Sequence, residues 1–409
     1  MGNRTIFGWL LMASPLFLKY LSACCIVNGQ VCGRSLPRSC WERLDYELDN
    51  PNILYTCRKG EEPVVLTECA AGCKRDQQNT DGDMCLAGAA EDIATTRMTT
   101  VQERRTRTEQ PKTSGFLVIA QGGSLWRLSV EDNGDTEQLT NIPGEHNHAV
   151  AVDCVTRHLY WAVRRKGIRR SRYDGSYNHL VIIANDTIAN GLAVDFVARN
   201  VFWVQGSAIL VAKMNHLEAG HKTILSDTRI DHFTPLAVHP SRGSIYWSYR
   251  FKIETASMDG SNRRVLVARV WAQTLALDHE ANDLYWADFR TGDIECISLN
   301  GEGERIVSVE GSKGHLLHGL SLSGGRVYWT SLLTGNVTSI TKSGSTIKQH
   351  SLPAGRSGYL EGIVFVAEQC PKSNNLCAVS NGGCLFICLP LPDNNRKCVC
   401  PDGNSSCTS

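Results

Sequence analysis

The sequence predicts an all-β protein: a six-bladed β-propeller between a small cysteine-rich N-terminal module and a C-terminal disulfide module. Three observations predict it. An aromatic–tryptophan segment recurs five times at near-constant spacing. Fragments of a sixth repeat lie before the first and after the last. Most of the seventeen cysteines cluster outside the repeats.

The repeats set the fold. The segments "HLYWAV" (Trp161), "NVFWVQ" (Trp203), "SIYWSY" (Trp247), "DLYWAD" (Trp286) and "RVYWTS" (Trp329) follow one another at steps of 42, 44, 39 and 43 residues. Each is preceded by a second apolar run: "AVAVD", "GLAVD", "PLAVH", "TLALD" and "GLSLS". Each is followed by two further strands around a turn such as "RYDGS", "SMDGS" or "SLNGE". The stretch "ANDLYWADFRTGDIECISLNGEGERIV" shows the pattern, its Asn-Gly marking a tight hairpin because both central residues of that turn need positive φ. Four strands every 40-odd residues make a propeller blade. Residues 116–140 supply strands two to four of a blade that lacks its first, and 361–366 supply a first strand with nothing after it. Joined, they close the ring and remove its open edges.

The flanks follow in order. Residues 1–23 read as a secretory signal: Arg4, an apolar run interrupted by Pro15, and a small-residue exit at Ala23. Eight cysteines lie in the module 24–86, seven at 370–409, and Cys154 and Cys296 between, which suits an oxidising compartment. The Thr-, Arg- and Glu-rich segment 87–115 reads as a linker, with Arg104 and Arg107 forming a minimal R-x-x-R. The propeller then spans 116–369. A net charge of +1 supplies no global field for nucleic acid, and no later segment is long and apolar enough to span a membrane. The expected location is secreted and extracellular.

These residues resemble the YWTD (class B) repeats of the low-density lipoprotein receptor family, shared with nidogen and the Wnt co-receptors. The resemblance covers about 116–407, because "CAVSNGGCLFICLPLPDNNRKCVCPDGNSSC" is similar to an EGF-like module. It implies bridges Cys377–Cys388, Cys384–Cys398 and Cys400–Cys407. The chain departs from the pattern, and the last loop of the EGF-like module is short. Only Asp288 keeps the motif's aspartate and only Thr330 its threonine, so the blade-to-blade hydrogen bonds of the family are expected to be thinned out. The EGF-like module lacks the acidic residues of calcium-binding versions. In the N-terminal module eight cysteines leave 105 pairings open. Its Trp41, Tyr46 and Tyr55 are either a sugar-stacking platform or ordinary core.

Function has to come from a site. In a meandering blade, the loops entering the first strand and those joining the second to the third emerge on one face, around the channel mouth. The first-strand entrances are His148, Asn190, Thr234, Gln273, His318 and Glu361, all polar. The second-to-third-strand loops carry Arg164, Arg165, Lys166, Tyr249, Arg250, Phe251, Lys252, Phe289 and Arg290, with Trp271 in the same open sector. Aromatic residues interleaved with arginine have the composition of interface hot spots. The sequons Asn185, Asn336 and Asn404 are candidate glycan sites, the first on this face. The favoured function is a non-enzymatic binding module, a scaffold or matrix component engaging an extracellular protein through an acidic segment. Two alternatives stand beside it: a propeller hydrolase or lactonase with a channel metal, and carbohydrate binding by the N-terminal module. The channel column offers one carboxylate, Glu361, with Asn190, which is too few hard oxygen ligands for a calcium cage. No Ser-His-Asp or H-E-x-x-H pattern is visible, and no metal or cofactor is expected.

Two expectations concern particular residues. Cys154 and Cys370 each follow an innermost strand of neighbouring blades on the face opposite the mouth, so they should pair, with Cys296 left a buried thiol. Around the mouth His318, Glu361 and His148 are consecutive. Charging the histidines near pH 6.5 should strengthen capture of an acidic partner, in keeping with the acid-dependent use of propeller histidines that the resemblance implies.

Overall fold

The computed structural model describes residues 29–32, 53–57, 64–68, 73–74, 84–85, 115–130, 135–184, 190–300, 304–307, 317–331, 335–344, 347–352 and 359–404. The chain divides into two units, residues 1–107 and 108–409. In the first, Gly29–Cys32, Ile53–Cys57 and Val64–Glu68 form a three-stranded antiparallel sheet, and Cys73–Lys74 pairs with Met84–Cys85. The signal segment, the pair Arg104 and Arg107, and the aromatic residues Trp41 and Tyr46 lie outside the described residues, as does the side chain of Tyr55.

In the second unit six antiparallel four-stranded sheets form the ring. Strands are counted outward from the channel. The first strands of blades 1 to 6 are Asn147–Asp153, Leu192–Asp195, Leu236–His239, Ala272–Asp278, Leu317–Leu322 and Leu360–Ala367. The second strands are His158–Val163, Asn200–Gln205, Ser244–Tyr249, Asp283–Asp288, Arg326–Ser331 and Gly115–Gln121. Blade 6 takes its first strand from the C-terminal end and the other three from the N-terminal end, with Phe365 opposite Leu117 and Val366 opposite Phe116. Cys154 and Cys370, just past the first strands of blades 1 and 6, are joined by a disulfide with Cα atoms 5.3 Å apart. Cys296, on the third strand of blade 4, is buried and outside the disulfides.

The aromatic–tryptophan pair explains why the ring holds. Adjacent residues of a strand point to opposite faces of the sheet. The first aromatic residue of each pair therefore faces the next blade, where it meets that blade's tryptophan. Tyr160 clusters with Trp203, Phe202 with Trp247, Tyr246 with Trp286, and Tyr285 with Trp329. Trp161 packs back onto Val118, Leu125 and Val366 of blade 6. Tyr328 completes the circuit by stacking on Phe365, also of blade 6, with centroids 6.0 Å apart. Four of the five motif tryptophans are at most 1% exposed.

The single motif threonine still bridges blades. Thr330 Oγ1 accepts the Gly319 amide at 2.8 Å and donates to the Glu361 carbonyl at 2.6 Å, tying blade 5 to blade 6. Asp288, the single motif aspartate, is buried and accepts the Arg290 amide at 2.7 Å.

The C-terminal module carries Cys377–Cys388 and Cys384–Cys398, the pairs expected of an EGF-like module. Cys400 is also disulfide-bonded, while Cys407 lies outside the described residues. The module packs beneath blades 2 and 3. Its strand Ile387–Leu391 buries Ile387 and Leu389 among Val211, Val238, Ile245 and Trp247. Asn200 Nδ2 donates to the Cys388 carbonyl at 2.7 Å, and ion pairs Lys222–Asp402 (2.7 Å) and Lys397–Asp259 (3.0 Å) fix its edges. Among the described residues, no helix is long and apolar enough to cross a membrane.

Candidate functional site

The six first strands enclose a narrow channel with a cavity of about 70 Å³, lined near its mouth by Asn190, Gln273 and His318. Thr234 behaves differently from the rest of its column. It is buried, and its hydroxyl accepts the Asp231 amide at 3.1 Å, so it caps its own loop. His148, Glu361 and His318 meet. Glu361 Oε2 lies 3.4 Å from His148 Nδ1 and 3.0 Å from His318 Nδ1, at ion-pair distance. Glycine makes this possible. A Cβ on Gly362 would stand 2.3 Å from the His148 carbonyl, so only glycine lets the first strands of blades 6 and 1 approach so closely. Burial pushes the Glu361 carboxyl up, but contact with His148 and the charge of the neighbouring histidines outweigh it and hold the group below the usual carboxylate range. Burial holds His318 below the ordinary histidine value, against the pull of Glu361. The window for charging this histidine is therefore more acidic than the sequence suggested.

On the rim the expected residues separate into two groups. Phe251, Trp271 and Phe289 are 62%, 42% and 39% exposed and stand side by side. Phe251 meets Trp271 edge-on at 5.7 Å, and Trp271 meets Phe289 at 4.9 Å. The Phe289 amide donates to the Trp271 carbonyl at 2.9 Å, and the Val270 amide to the Phe251 carbonyl at 3.2 Å, so backbone bonds hold the three loops in line. Arg250 and Arg290 are exposed beside this ladder, and Arg164 and Arg165 are exposed on the rim of blade 1.

The second group is engaged by neighbouring side chains, although Lys166 remains exposed. Tyr249 is 5% exposed, because as the last residue of its strand it faces the interior between blades 2 and 3, and its hydroxyl donates to Glu254 at 3.0 Å. Lys252 is paired with that same buried Glu254 at 2.8 Å, and Lys166 with buried Glu145 at 2.9 Å. Both lysines neutralise carboxylates beneath the face. Sequence reasoning also missed two rim residues. Phe233, 63% exposed with His232 against it at 4.0 Å, and exposed Arg269 lie in loops that enter first strands. Their signal was present in "DHFTPLAV" and "ARVWAQTLAL", where a large aromatic or a cation precedes the apolar run by a few residues.

Asn185 lies outside the described residues; Asn336 and Asn404 are half-buried. On the opposite face, Arg199 forms a two-point ion pair with buried Asp153, and Arg242 donates to Asn282 and Asn300. These arginines hold loops together, so they are structural positions. Among the described residues, no group of three His, Cys, Asp or Glu side chains has metal-binding geometry.

No family model matches the chain. It is 29% identical over 302 residues to mouse low-density lipoprotein receptor-related protein 5, covering 70% of this chain and 18% of that one. It is 24% identical over 311 residues to Drosophila melanogaster nidogen (73% and 23%), and 25% over 351 to the vitellogenin receptor Yl of the same fly (82% and 17%). The chain thus spans about a fifth of the length of these relatives. Among solved structures, a chain of a nidogen/laminin complex matches with a TM-score of 0.55 and 25% identity, over 62% of this chain and 99% of that one. The ring of six blades, the aromatic–tryptophan strand in five of them and these relatives together make this a six-bladed propeller of the YWTD type, similar to those of the low-density lipoprotein receptor-related proteins and nidogen.

Proposed function

We propose that the protein is a non-enzymatic, extracellular binding module that captures a protein partner on the channel-mouth face, against an acidic segment of that partner. The observation that carries this reading is the ladder Phe251–Trp271–Phe289. Three large aromatic side chains stay exposed in register and are flanked by Arg250, Arg269 and Arg290. Aromatic anchors beside arginine dominate the energetics of protein interfaces. The opposite face supports the same side by exclusion, because beneath blades 2 and 3 this chain's own C-terminal module already covers it. The relatives fit: two bear the word receptor in their names, and the nidogen structure is a complex with laminin. A channel with Glu361 as its carboxylate, already contacted by two histidines, favours binding over metal-assisted hydrolysis.

The test is an affinity capture from extracellular material with the intact protein, repeated with Phe251→Ala, Trp271→Ala and Phe289→Ala combined. Losing a partner that the wild type retains supports the face. Exposed Arg157, at the opposite face, serves as the control through Arg157→Glu. A partner lost by the control and kept by the triple variant would put the interface on the wrong side.

A further inference from the structure

At the other end of the channel two more imidazoles meet, His239 buried and His279 half-buried. His239 ends the first strand of blade 3 and is 1% exposed, and His279 follows the first strand of blade 4. Their rings lie edge to face with centroids 5.2 Å apart, and Phe196 meets His279 at 5.8 Å. Among the described residues, His279 Nδ1 has no hydrogen-bond partner, while the Asn282 side chain lies within reach of His239. The Ser241 hydroxyl is 3.3 Å from His239 Nδ1. The groups facing the pair are few. Arg242 and Asn282 act on His239, and Asp278, already engaged by Lys342, acts on His279. Burial, His279 and Arg242 push His239 down to about 3, and burial pushes His279 down to about 4 against Asp278. Both rings are neutral at pH 7.

His239 runs directly into the turn Pro240–Arg242, and that turn is a seat of the C-terminal module. The Pro240 carbonyl accepts Asn375 Nδ2 at 3.1 Å. At Gly243 a Cβ would stand 2.4 Å from the Leu391 carbonyl carbon, so the module's backbone lies flat on the end of the turn. Ile387 and Leu389 are buried alongside.

We infer that the His239–His279 pair is an acid-sensitive latch: when the two imidazoles take up protons, the Pro240–Gly243 turn opens and the C-terminal module loses its seat on blade 3. The closed turn would have to hold two like charges about 5 Å apart, away from water. Its neighbouring carboxylate, Asp278, is already matched by a lysine. The sign follows from linkage. The closed state binds these protons only well below the ordinary histidine pKa, so the open state gains as pH falls below about 6.5. By pH 5 the opening equilibrium should rise on the order of ten- to thirty-fold per ring. Asp195, under blade 2, responds in the opposite sense. Burial raises it to about 6, so it gains its proton in the closed state and keeps the blade 2 side of the contact in place.

Amide hydrogen exchange on the intact chain tests this, with protection factors corrected for intrinsic rate at pH 7.4 and 5.0. Protection over Ile387–Leu391 and residues 240–244 should fall at least ten-fold at pH 5.0, while Arg326–Ser331 in blade 5 keeps its protection. In the double variant His239→Gln, His279→Gln, protection should be equal at the two pH values. Unchanged wild-type protection, or the same fall in the double variant, overturns the latch. If that variant does not fold, the wild-type histidine ring resonances decide. Two imidazoles titrating below pH 5.5, with the Ile387–Leu391 amides shifting alongside, support the latch. Ordinary midpoints near 6.5, or module amides that do not respond, overturn it.

Discussion

Replacing Arg250 with glycine should make the protein more stable and a worse binder. The second and third strands of blades 6, 2 and 3 are joined by two-residue loops: Gly122-Gly123, Gly206-Ser207 and Arg250-Phe251. The first loop residue has φ of 54°, 57° and 52° respectively. Two blades meet this requirement with glycine, and blade 3 meets it with arginine. A side chain in left-handed backbone costs about 1–2 kcal/mol, and glycine returns about 0.5–1 kcal/mol of that through the extra freedom of the unfolded chain. Arg250 is exposed, so its removal loses little packing. The net gain for Arg250→Gly is on the order of 0.5 kcal/mol, or about 1–2 °C in Tm for a unit of this size. Against it stands the loss of a guanidinium next to Phe251. At a hot spot that costs about 2 kcal/mol, close to thirty-fold in Kd. The assays are calorimetric melting of the purified protein and titration against the partner recovered by capture. A variant that melts lower than wild type would refute the strain argument. A variant that melts higher yet binds equally well would show that the strain does not serve this interface.

Three further outcomes follow from the same structure. Cys154→Ala with Cys370→Ala opens a loop of 216 residues, for which the chain-entropy model gives about 5 kcal/mol, so a large fall in denaturant midpoint is expected and a small one would show that strand pairing alone closes the ring. Asp195→Asn should be stabilising by on the order of 1 kcal/mol at pH 7.4, because burial raises this carboxyl to about 6 and its charged form is disfavoured in the fold; chemical unfolding across pH should show the gain begin to shrink at about pH 6 and disappear as pH approaches the ordinary carboxylate range of about 4. Capture of an acidic partner should strengthen several-fold between pH 7.5 and 5.5 and still be rising at 5.5, since burial delays the charging of His318; His148→Ala with His318→Ala should flatten that dependence, and an unchanged slope would remove the histidines from binding.

The ring was legible in the amino-acid order alone. A tryptophan every 40-odd residues and half-blades at both ends leave one economical closure, and the structure has it, down to Phe365 opposite Leu117. Period-2 alternation is a local property of a strand, so it can be read without knowing what lies across the sheet. The approach of Cys154 to Cys370 follows from the same topology. Which polar residues are left unmatched depends on packing across the fold. Tyr249, Lys166 and Lys252 read like Phe251 and Arg250, yet they are turned inward or matched to Glu254 and Glu145. Whether a cation is free depends on carboxylates that are distant in sequence, as Glu145 is from Lys166, and the repeat pattern says nothing about them. The seat of the C-terminal module was equally hidden. Ile387 and Leu389 find their core more than 130 residues upstream, between blades 2 and 3, where shape complementarity and not periodicity chooses the partner.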